Sequence, residues 1–251
     1  MIDLHCHILP GIDDGPDDLE GSLAVARAQV DRGVRTVVAT PHVGWGHQNT
    51  AEAIATAVAD LNRELRTAGI DLEVLAGAEV ALTYAVELPA EQLAELRLGD
   101  GPWLLLEAPL TVDAPGVEGL VGLVQSRGVR ILLAHPERCA CFHADPELLV
   151  RLLRSGCLAQ ITAGALTGFF GRTVQARARG LVDDGLAHVV ASDAHDPIRR
   201  VPGLREPIEE AGHAPLAEWL TTTVPRALLD GVPVPPRPAL AEPRRRRRFR
   251  R

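Results

Sequence analysis

Short apolar runs typical of buried β-strands alternate with helical patterns through most of the 251-residue chain. Seven of these runs are predicted as strands, over residues 1–5, 34–40, 72–80, 103–108, 129–136, 158–163 and 187–195. Because the strands are nearly unbroken apolar runs separated by helices, they predict a parallel sheet covered on both faces. Seven β/α units in one domain favour a barrel over an open sheet. The predicted fold class is therefore an α/β barrel.

The helical segments between these runs carry recognisable end signals. Asp17 or Asp18 can cap a helix within residues 18–33, and Gly33 is expected to end it. A second helix is predicted over residues 51–68 and is closed by Gly69. Further helices are predicted over 115–127, 145–155 and 170–184, with one or two more within 204–230. These helices supply the outer layer that a parallel barrel requires.

The composition of the chain is that of an ordinary globular domain, with 46% hydrophobic and 24% charged residues. No apolar run reaches membrane-spanning length, and no positive cluster precedes an apolar core at the N-terminus. The four cysteines do not resemble a disulfide framework; they are Cys6, Cys139, Cys141 and Cys157. We therefore expect a cytoplasmic protein.

The carboxyl-terminal segment differs from the rest of the chain in composition. Residues 244–251 contain seven arginines, and removing these charges from the net charge of −7 leaves −14 for the remainder. An acidic body with a basic tail is not the footprint of a nucleic-acid-binding domain, which carries its positive charge on a folded face. We predict a barrel over residues 1–230 and a disordered tail over 231–251. A solvated tail is the favoured interpretation, and contact with acidic lipid or nucleic acid is the alternative.

Ionisable residues concentrate at the carboxyl ends of the predicted strands. Six of the seven strands end in His, Asp or Glu, and only the sixth, over 158–163, does not. The residues are His5, His7, Asp13, Asp14, His42, Glu79, Glu107, His135, Glu137, Arg138, Asp193, His195 and Asp196. In β/α barrels this end of the strands carries the active site. Clustered carboxylates repel one another unless cations lie between them, so the pattern predicts a metal centre.

These motifs, in this order, resemble those of the PHP (polymerase and histidinol phosphatase) superfamily. The matching stretches are DLHCHILPGIDDG, TPH, AGAEV, LLLEAP, AHPER, QITAGALTGFFG and SDAHD, and the likeness extends from residue 1 to about residue 230. Within this superfamily the chain looks most like the bacterial protein-tyrosine phosphatases of capsule and exopolysaccharide operons. The resemblance implies a distorted TIM-like (β/α)7 barrel, the PHP fold, in a single domain.

The resemblance also implies three divalent metal ions. Manganese is the expected metal, and the mixture of imidazole and carboxylate ligands also suits Zn²⁺ or Fe²⁺. By position in the motifs, the first ion would be held by His5, His7, Glu79 and Asp193. The second ion would be held by Asp14, His42 and His195. The third would be held by Glu107 and His135, with Glu79 bridging to it.

Two arginines are expected to bind the phosphate group of the substrate. A planar guanidinium can hold two phosphate oxygens at once, which a lysine cannot do. Arg138 matches the phosphate-binding arginine of the family's HPER motif, and the second arginine is Arg200 or Arg199, with Arg200 favoured. None of the cysteines lies in the C-x5-R loop of thiol phosphatases, so no cysteine nucleophile is predicted.

The implied activity is metal-dependent hydrolysis of phosphotyrosine on a protein, with a bacterial tyrosine kinase that controls polysaccharide export as the implied partner. An alternative within the same superfamily is a phosphatase for a small phosphomonoester such as histidinol phosphate. An open rim would favour the protein substrate, and Trp45, Phe169 and Phe170 are candidate stacking surfaces there. A non-catalytic metal-stabilised or DNA-binding domain is a third interpretation, which the complete ligand set and the acidic body disfavour.

The sequence departs from many relatives in two respects, one of which is the basic tail after residue 243. Val43 follows the TPH motif where many relatives have a second histidine. His47, four residues further on, is a candidate substitute, and an ordinary loop histidine is the simpler interpretation.

Overall fold

The computed structural model describes residues 1–110, 114 and 116–239. All strand pairs in this part of the chain are parallel. The strands are β1 (Ile2–Cys6), β2 (Thr36–Ala39), β3 (His42–Val43), β4 (Glu73–Ala76), β5 (Glu79–Ala81), β6 (Trp103–Glu107), β7 (Arg130–Ala134), β8 (Leu158–Thr162) and β9 (Val189–Ala191). They form two sheets, with the orders β1-β2-β4 and β3-β5-β6-β7-β8-β9.

The two sheets together form a distorted barrel because β1 meets β9. The His7 N–H donates to the Ala194 carbonyl at 2.8 Å, and the Asp193 N–H donates to the His5 carbonyl at 2.8 Å. On the other side, the Glu79 N–H donates to the Pro41 carbonyl at 3.1 Å. The first two bonds join β1 of one sheet to the end of β9 of the other, and the third lies where the pairing of β2 with β4 continues into the pairing of β3 with β5. The predicted distorted parallel barrel is confirmed.

The segment 72–80 was predicted as one strand, and this is wrong in detail. The structure divides it into β4, which pairs with β2, and β5, which pairs with β3 and β6. Gly77 lies at the break, and a Cβ atom there would be 2.7 Å from a methyl group of Val38 and 3.0 Å from Leu98. The chain therefore changes sheets where only a glycine fits.

The helices surround the strands, and their ends follow the sequence signals. Asp18, rather than Asp17, caps the first helix by accepting the Gly21 N–H at 2.9 Å. Gly33 follows that helix in the left-handed region, with a φ of 80°. The helices are α1 (Leu19–Asp31), α2 (Ala51–Thr67), α3 (Leu82–Ala85), α4 (Ala90–Glu95), α5 (Val117–Gln125), α6 (Ala140–Ala144), α7 (Pro146–Arg154), α8 (Ala163–Thr167), α9 (Arg172–Asp183), α10 (Arg205–Glu210) and α11 (Val224–Leu229). Short 3₁₀ turns cover Pro136–Arg138 and Ala214–Leu216, and a π turn covers Trp219–Thr223.

The interior of the barrel is aliphatic. In β6, successive residues Leu104, Leu105 and Leu106 are all fully buried, because one face of the strand meets the barrel interior and the other meets helices. Within the described ranges, no helix combines the length and the apolar character needed to cross a bilayer. The four cysteines are free and buried.

The beginning of the predicted tail lies against the barrel. The Trp219 indole N–H donates to the Pro235 carbonyl at 3.1 Å, and Arg237 donates to the Val182 carbonyl at 2.7 Å. Val234 packs on the hydrophobic core. The arginine-rich part of the tail lies outside the described residues, and the tail over 231–251 stays a prediction.

Candidate metal centre

The structure gathers the predicted ligands at one end of the barrel. Five of the nine are at most 2% exposed as residues, and Asp14 and His42 are the more accessible members. The set consists of His5, His7, Asp14, His42, Glu79, Glu107, His135, Asp193 and His195. Residues far apart in sequence meet here because the strands are parallel and the loops leave the same end of each.

Glu79, at the start of β5, lies at the middle of the cluster. Its Oε2 atom is 3.3 Å from His5 Nε2, 3.4 Å from His7 Nε2 and 3.1 Å from His42 Nδ1. Its Oε1 atom is 2.7 Å from His135 Nε2. One buried carboxylate therefore contacts four imidazoles, which is the position expected of a bridging ligand.

Three groups of donor atoms are close enough to share an ion, with all atoms of a group within 4.8 Å of one another. The groups are His7, Asp14, His42 and His195; His5, His7 and Asp193; and His5, Glu79 and His135. The first group contains the complete set expected for the second ion. Glu107 lies beside the third group, with its Oε1 atom 3.8 Å from His135 Nε2.

Two side chains orient His5 and His7, at and just after the end of β1. His5 Nδ1 is 2.9 Å from the Gln160 side-chain oxygen, and His7 Nδ1 is 2.7 Å from Asp13 Oδ2. In each ring these contacts leave Nε2 facing the cluster, as is usual for metal-binding histidines. In the sequence, Gln160 gives no signal because it is neutral, and the opening motif does not show that Asp13 contacts His7.

A second buried carboxylate fixes the framework behind the cluster. Asp3 accepts hydrogen bonds from the Ser192 N–H at 2.9 Å, the Ser192 hydroxyl at 2.5 Å and the Gln29 side chain at 2.6 Å. Burial raises the pKa of Asp3, and these donors oppose that rise. Asp3 thereby joins β1, α1 and the end of β9.

The backbone is strained at two of the predicted ligands. His135 has a φ of 30° and Asp193 a φ of 52°, and within the described residues no other non-glycine residue has a positive φ. Such conformations cost about 1–3 kcal/mol each and persist where surrounding contacts enforce them. The strain therefore coincides with the cluster.

Neighbouring charges in the cluster shift one another's pKa values. Burial raises the pKa of Glu79, but His5 and His135 outweigh it and hold that pKa well below the usual value. Burial likewise opposes ionisation of Asp193, yet the nearby His5, His135 and Arg200 lower its pKa to about 2. For Glu107 burial dominates, and with the charge of Glu79 it raises the pKa to about 7.

The donor set fits divalent ions. Buried imidazole nitrogens and carboxylate oxygens alternate around the centre, and this mixture suits Mn²⁺, Zn²⁺ or Fe²⁺. Burial lowers the pKa of His7, but Asp13 and Glu79 overcome this and raise it to about 10. A proton on His7 therefore supplies positive charge that a metal ion can replace. His135 Nδ1 is also buried without a hydrogen-bond partner among the described residues.

Two arginines adjoin the centre. Arg138 Nη1 is 2.6 Å and Arg200 Nη2 is 2.5 Å from the same oxygen, Asp193 Oδ2. The Arg138 guanidinium also stacks on the ring of Phe170, 4.6 Å from its centroid. Arg199 is exposed, so Arg200 is the arginine that the loop after β9 directs to the centre.

The rim of the centre is open and partly aromatic. Trp45 is 63% exposed and packs edge-on against Tyr84, and Phe169 is 55% exposed. His47 stacks on His42, with ring centroids 5.6 Å apart.

The sequence matches the family model described as "Capsular polysaccharide synthesis, CpsB/CapC" over residues 1–214. The chain belongs to the CpsB/CapC family. It is 40% identical over 197 residues to the tyrosine-protein phosphatase YwqE of Bacillus subtilis, covering 78% of each chain. It is 29% identical over 212 residues to the tyrosine-protein phosphatase CpsB of Streptococcus pneumoniae, covering 82% of this chain and 87% of the relative.

Solved structures agree with the family assignment. Crystal structures of YwqE and CpsB are described as those of unique metal-dependent tyrosine phosphatases. The matching chain superposes with a TM-score of 0.84 at 36% identity, covering 96% of this chain and all of the other. A β-aspartyl dipeptidase from Fervidobacterium islandicum shares the fold at 15% identity, with a TM-score of 0.55 over 91% of this chain and 72% of its own. The resemblance found in the sequence is confirmed.

Proposed function

We propose that this protein hydrolyses phosphotyrosine on proteins in a metal-dependent reaction. The observation that carries the proposal is the buried His and carboxylate cluster with Arg138 and Arg200 beside it. The tyrosine-protein phosphatases among the relatives of the chain support it. Membership of a capsule-synthesis family supports a bacterial tyrosine kinase as the partner.

The proposed metal ligands are the nine side chains of the cluster. We propose three ions, with Mn²⁺ as the metal and Glu79 as the shared ligand. When bound, such ions supply a hydroxide nucleophile near neutral pH and neutralise charge on the phosphate oxygens. Gln160 and Asp13 hold His5 and His7 in the ring orientation that this binding requires.

Arg138 and Arg200 are the proposed phosphate-binding residues. Both guanidiniums point to the same oxygen of Asp193, so their donors converge at one place beside the ligand cluster. Convergent guanidiniums stabilise the negative charge on a transferring phosphoryl group. Phe170 stacks on Arg138 and limits its movement, which keeps the donors in place.

The rim favours a protein substrate over a small phosphomonoester such as histidinol phosphate. A small metabolite is normally enclosed by its pocket, which covers most of its surface. Here Trp45 and Phe169 are more than half exposed beside the centre. An open rim leaves room for the polypeptide on either side of a phosphotyrosine.

We also propose that the protein works in the cytoplasm, where the kinase domains of bacterial tyrosine kinases would be reached. Its four free, buried cysteines suit a reducing compartment.

The function is tested with protein stripped of metal and then supplied with Mn²⁺. We expect turnover of a phosphotyrosine peptide only after Mn²⁺ is added, and little turnover of histidinol phosphate or of the matched phosphoserine peptide. Faster hydrolysis of histidinol phosphate than of the peptide would favour the small-substrate alternative. Full activity in the stripped protein would contradict metal dependence.

A further inference from the structure

The loop between β9 and α10 carries Arg200, one of the two proposed phosphate-binding residues. Because β9 ends at Ala191 and α10 begins at Arg205, the regular hydrogen bonds of a strand or a helix do not hold Arg200 in place. Its neighbour Arg199 is exposed, whereas Arg200 contacts Asp193. The contacts within this loop therefore determine which of the two guanidiniums is directed to the centre.

The side chain of Asp196 holds this loop. Its Oδ1 atom accepts the N–H groups of Ile198 at 2.8 Å and Arg199 at 2.6 Å, and its Oδ2 atom accepts the N–H of Arg200 at 3.1 Å. Pro197 has no N–H, so these are the first three N–H groups that follow Asp196 in the chain. One carboxylate thus fixes three successive peptide units.

The backbone of Arg200 is held on both sides. Its N–H donates to Asp196, and its carbonyl accepts the His195 N–H at 3.1 Å. Both partners lie within five residues of the end of β9, so the loop is anchored to the strand. From this position the Arg200 side chain reaches Asp193 Oδ2 at 2.5 Å and His195 Nε2 at 2.7 Å.

The contacts of Asp196 distinguish it from the predicted ligands beside it. Both of its carboxylate oxygens accept backbone N–H groups. Among the residues that the structure describes, the three groups of donor atoms that could share an ion do not include Asp196. Its side chain therefore acts on the loop and not on the proposed metal ions.

From these contacts we infer that Asp196 is a positioning residue for phosphotyrosine hydrolysis, whose carboxylate folds the loop so that Arg200, and not Arg199, is directed to the phosphate. The inference rests on the proposed function, because it requires that Arg200 binds the phosphate group. A misplacement of about 1 Å at a reacting centre can cost about 10²-fold in rate. Asp196 thereby affects the reaction without touching the substrate.

The first test replaces Asp196 and measures kcat/KM of metal-replete protein with a phosphotyrosine peptide. Asp196→Ala should lower kcat/KM by at least about tenfold, which corresponds to about 1.4 kcal/mol. Asp196→Asn keeps an oxygen that can accept N–H groups of the loop, so it should stay within about threefold of the parent. Asp196→Glu keeps the charge but moves it on a longer side chain, so it should lose as much activity as Asp196→Ala.

A double-mutant cycle with Arg200→Ala shows whether Asp196 acts through Arg200. In the Arg200→Ala protein, the further change Asp196→Ala should lower kcat/KM by less than about twofold, because the side chain that it positions is already absent. The matched control is Asp145→Ala, an exposed aspartate at the start of α7 that accepts the Leu148 N–H at 3.2 Å. This control should change kcat/KM by less than about twofold in either background.

The outcomes separate this inference from the proposed function. Activity of Asp196→Ala within about twofold of the parent, or an equal loss with and without Arg200, would overturn the positioning role. Rescue by Asp196→Glu instead of Asp196→Asn would also overturn it, since the charge alone would then be required. A loss of bound metal in Asp196→Ala that matches the loss of activity would place the effect on His195 and would contradict the inference too. Hydrolysis of no phosphotyrosine peptide by the metal-replete parent would overturn the proposed function itself.

Discussion

Removing Arg138 tests whether this side chain stabilises the transition state or only neutralises Asp193. Its side chain is 19% exposed, and its short contact to Asp193 is charged on both sides. A donor directed at the charge that develops in a transition state is worth about 2.7–4 kcal/mol. Because about 1.4 kcal/mol corresponds to a factor of ten, we expect Arg138→Ala to lower kcat/KM by about 10²-fold or more.

Folding and metal content should survive this change. Arg200 still contacts the same oxygen of Asp193, so the buried carboxylate keeps one guanidinium partner. Arg138→Lys should restore little activity, because an ammonium group cannot reproduce a two-pronged contact. The matched control is Arg151→Ala, a 42% exposed arginine paired with Glu118 at 2.9 Å, whose loss should not affect activity.

The assay is steady-state kinetics on metal-replete protein with a phosphotyrosine peptide. Activity of Arg138→Ala within about threefold of the parent corresponds to less than about 0.7 kcal/mol and would refute a catalytic role. A loss of activity accompanied by an equal loss of bound metal would instead make Arg138 a structural support of the cluster.

Four further outcomes follow from the same structure. Glu79→Gln should lower the bound metal by at least one ion per chain in elemental analysis, because it removes the shared carboxylate; unchanged metal would exclude a bridging role. Asp13→Ala should weaken metal affinity by about 10–100-fold in chelator competition by releasing the His7 ring, and retention of parental affinity would show that the ring is oriented by other contacts. Burial raises the pKa of Cys157 to about 11, so iodoacetamide at pH 8 should label it only after unfolding in urea, and rapid labelling of the folded protein would contradict its burial. Burial lowers the pKa of His188, whose Nδ1 accepts the Ala159 N–H at 3.3 Å. Because the unfolded chain binds the proton more readily than the folded protein, the free energy of unfolding should fall as the pH drops below about 6.5. This fall should be less steep in His188→Gln.

The gathering of the ligands could be predicted because it depends on topology alone. A parallel barrel places the carboxyl ends of all its strands together, and the chain direction follows from the alternation of strands and helices. His5 and His135 lie 130 positions apart in sequence, and their ring centroids are 5.6 Å apart in the structure. No knowledge of individual contacts was needed for that expectation.

The division of the segment 72–80 could not be predicted in the same way. Its sequence is continuously compatible with a strand, and the break at Gly77 depends on the approach of Val38 and Leu98 from other parts of the chain. The short helices α3 and α4 could not be predicted from the sequence either. They span four and six residues, which is too short for a periodic apolar pattern to appear.

The groups that orient the cluster were also hidden from the sequence. Gln160 is neutral, and its importance lies only in the 2.9 Å contact with His5 across the barrel. In the sequence, Asp3 resembles any polar residue near the start of a strand, yet it is fully buried and joins three elements. Contacts of this kind depend on which side chains face each other, and strand spacing alone does not determine that.

The two carboxylate oxygens of Asp193 face different parts of the proposed centre. Its Oδ1 atom lies 3.4 Å from His5 Nε2 and 3.6 Å from His7 Nε2, on the side of the ligand cluster. Its Oδ2 atom contacts Arg138 and Arg200, on the side proposed for phosphate. Asp193 also has a positive φ of 52°, so one of the two strained non-glycine residues among the described residues is the one that contacts both the ligand cluster and the two arginines. With Oδ1 on the side of the proposed metal ions, Oδ2 remains the anion that holds both guanidiniums in place. The two proposed phosphate-binding arginines are therefore directed to one point before a substrate binds. The cost of preorganising the two arginines is therefore borne in folding rather than in each reaction cycle.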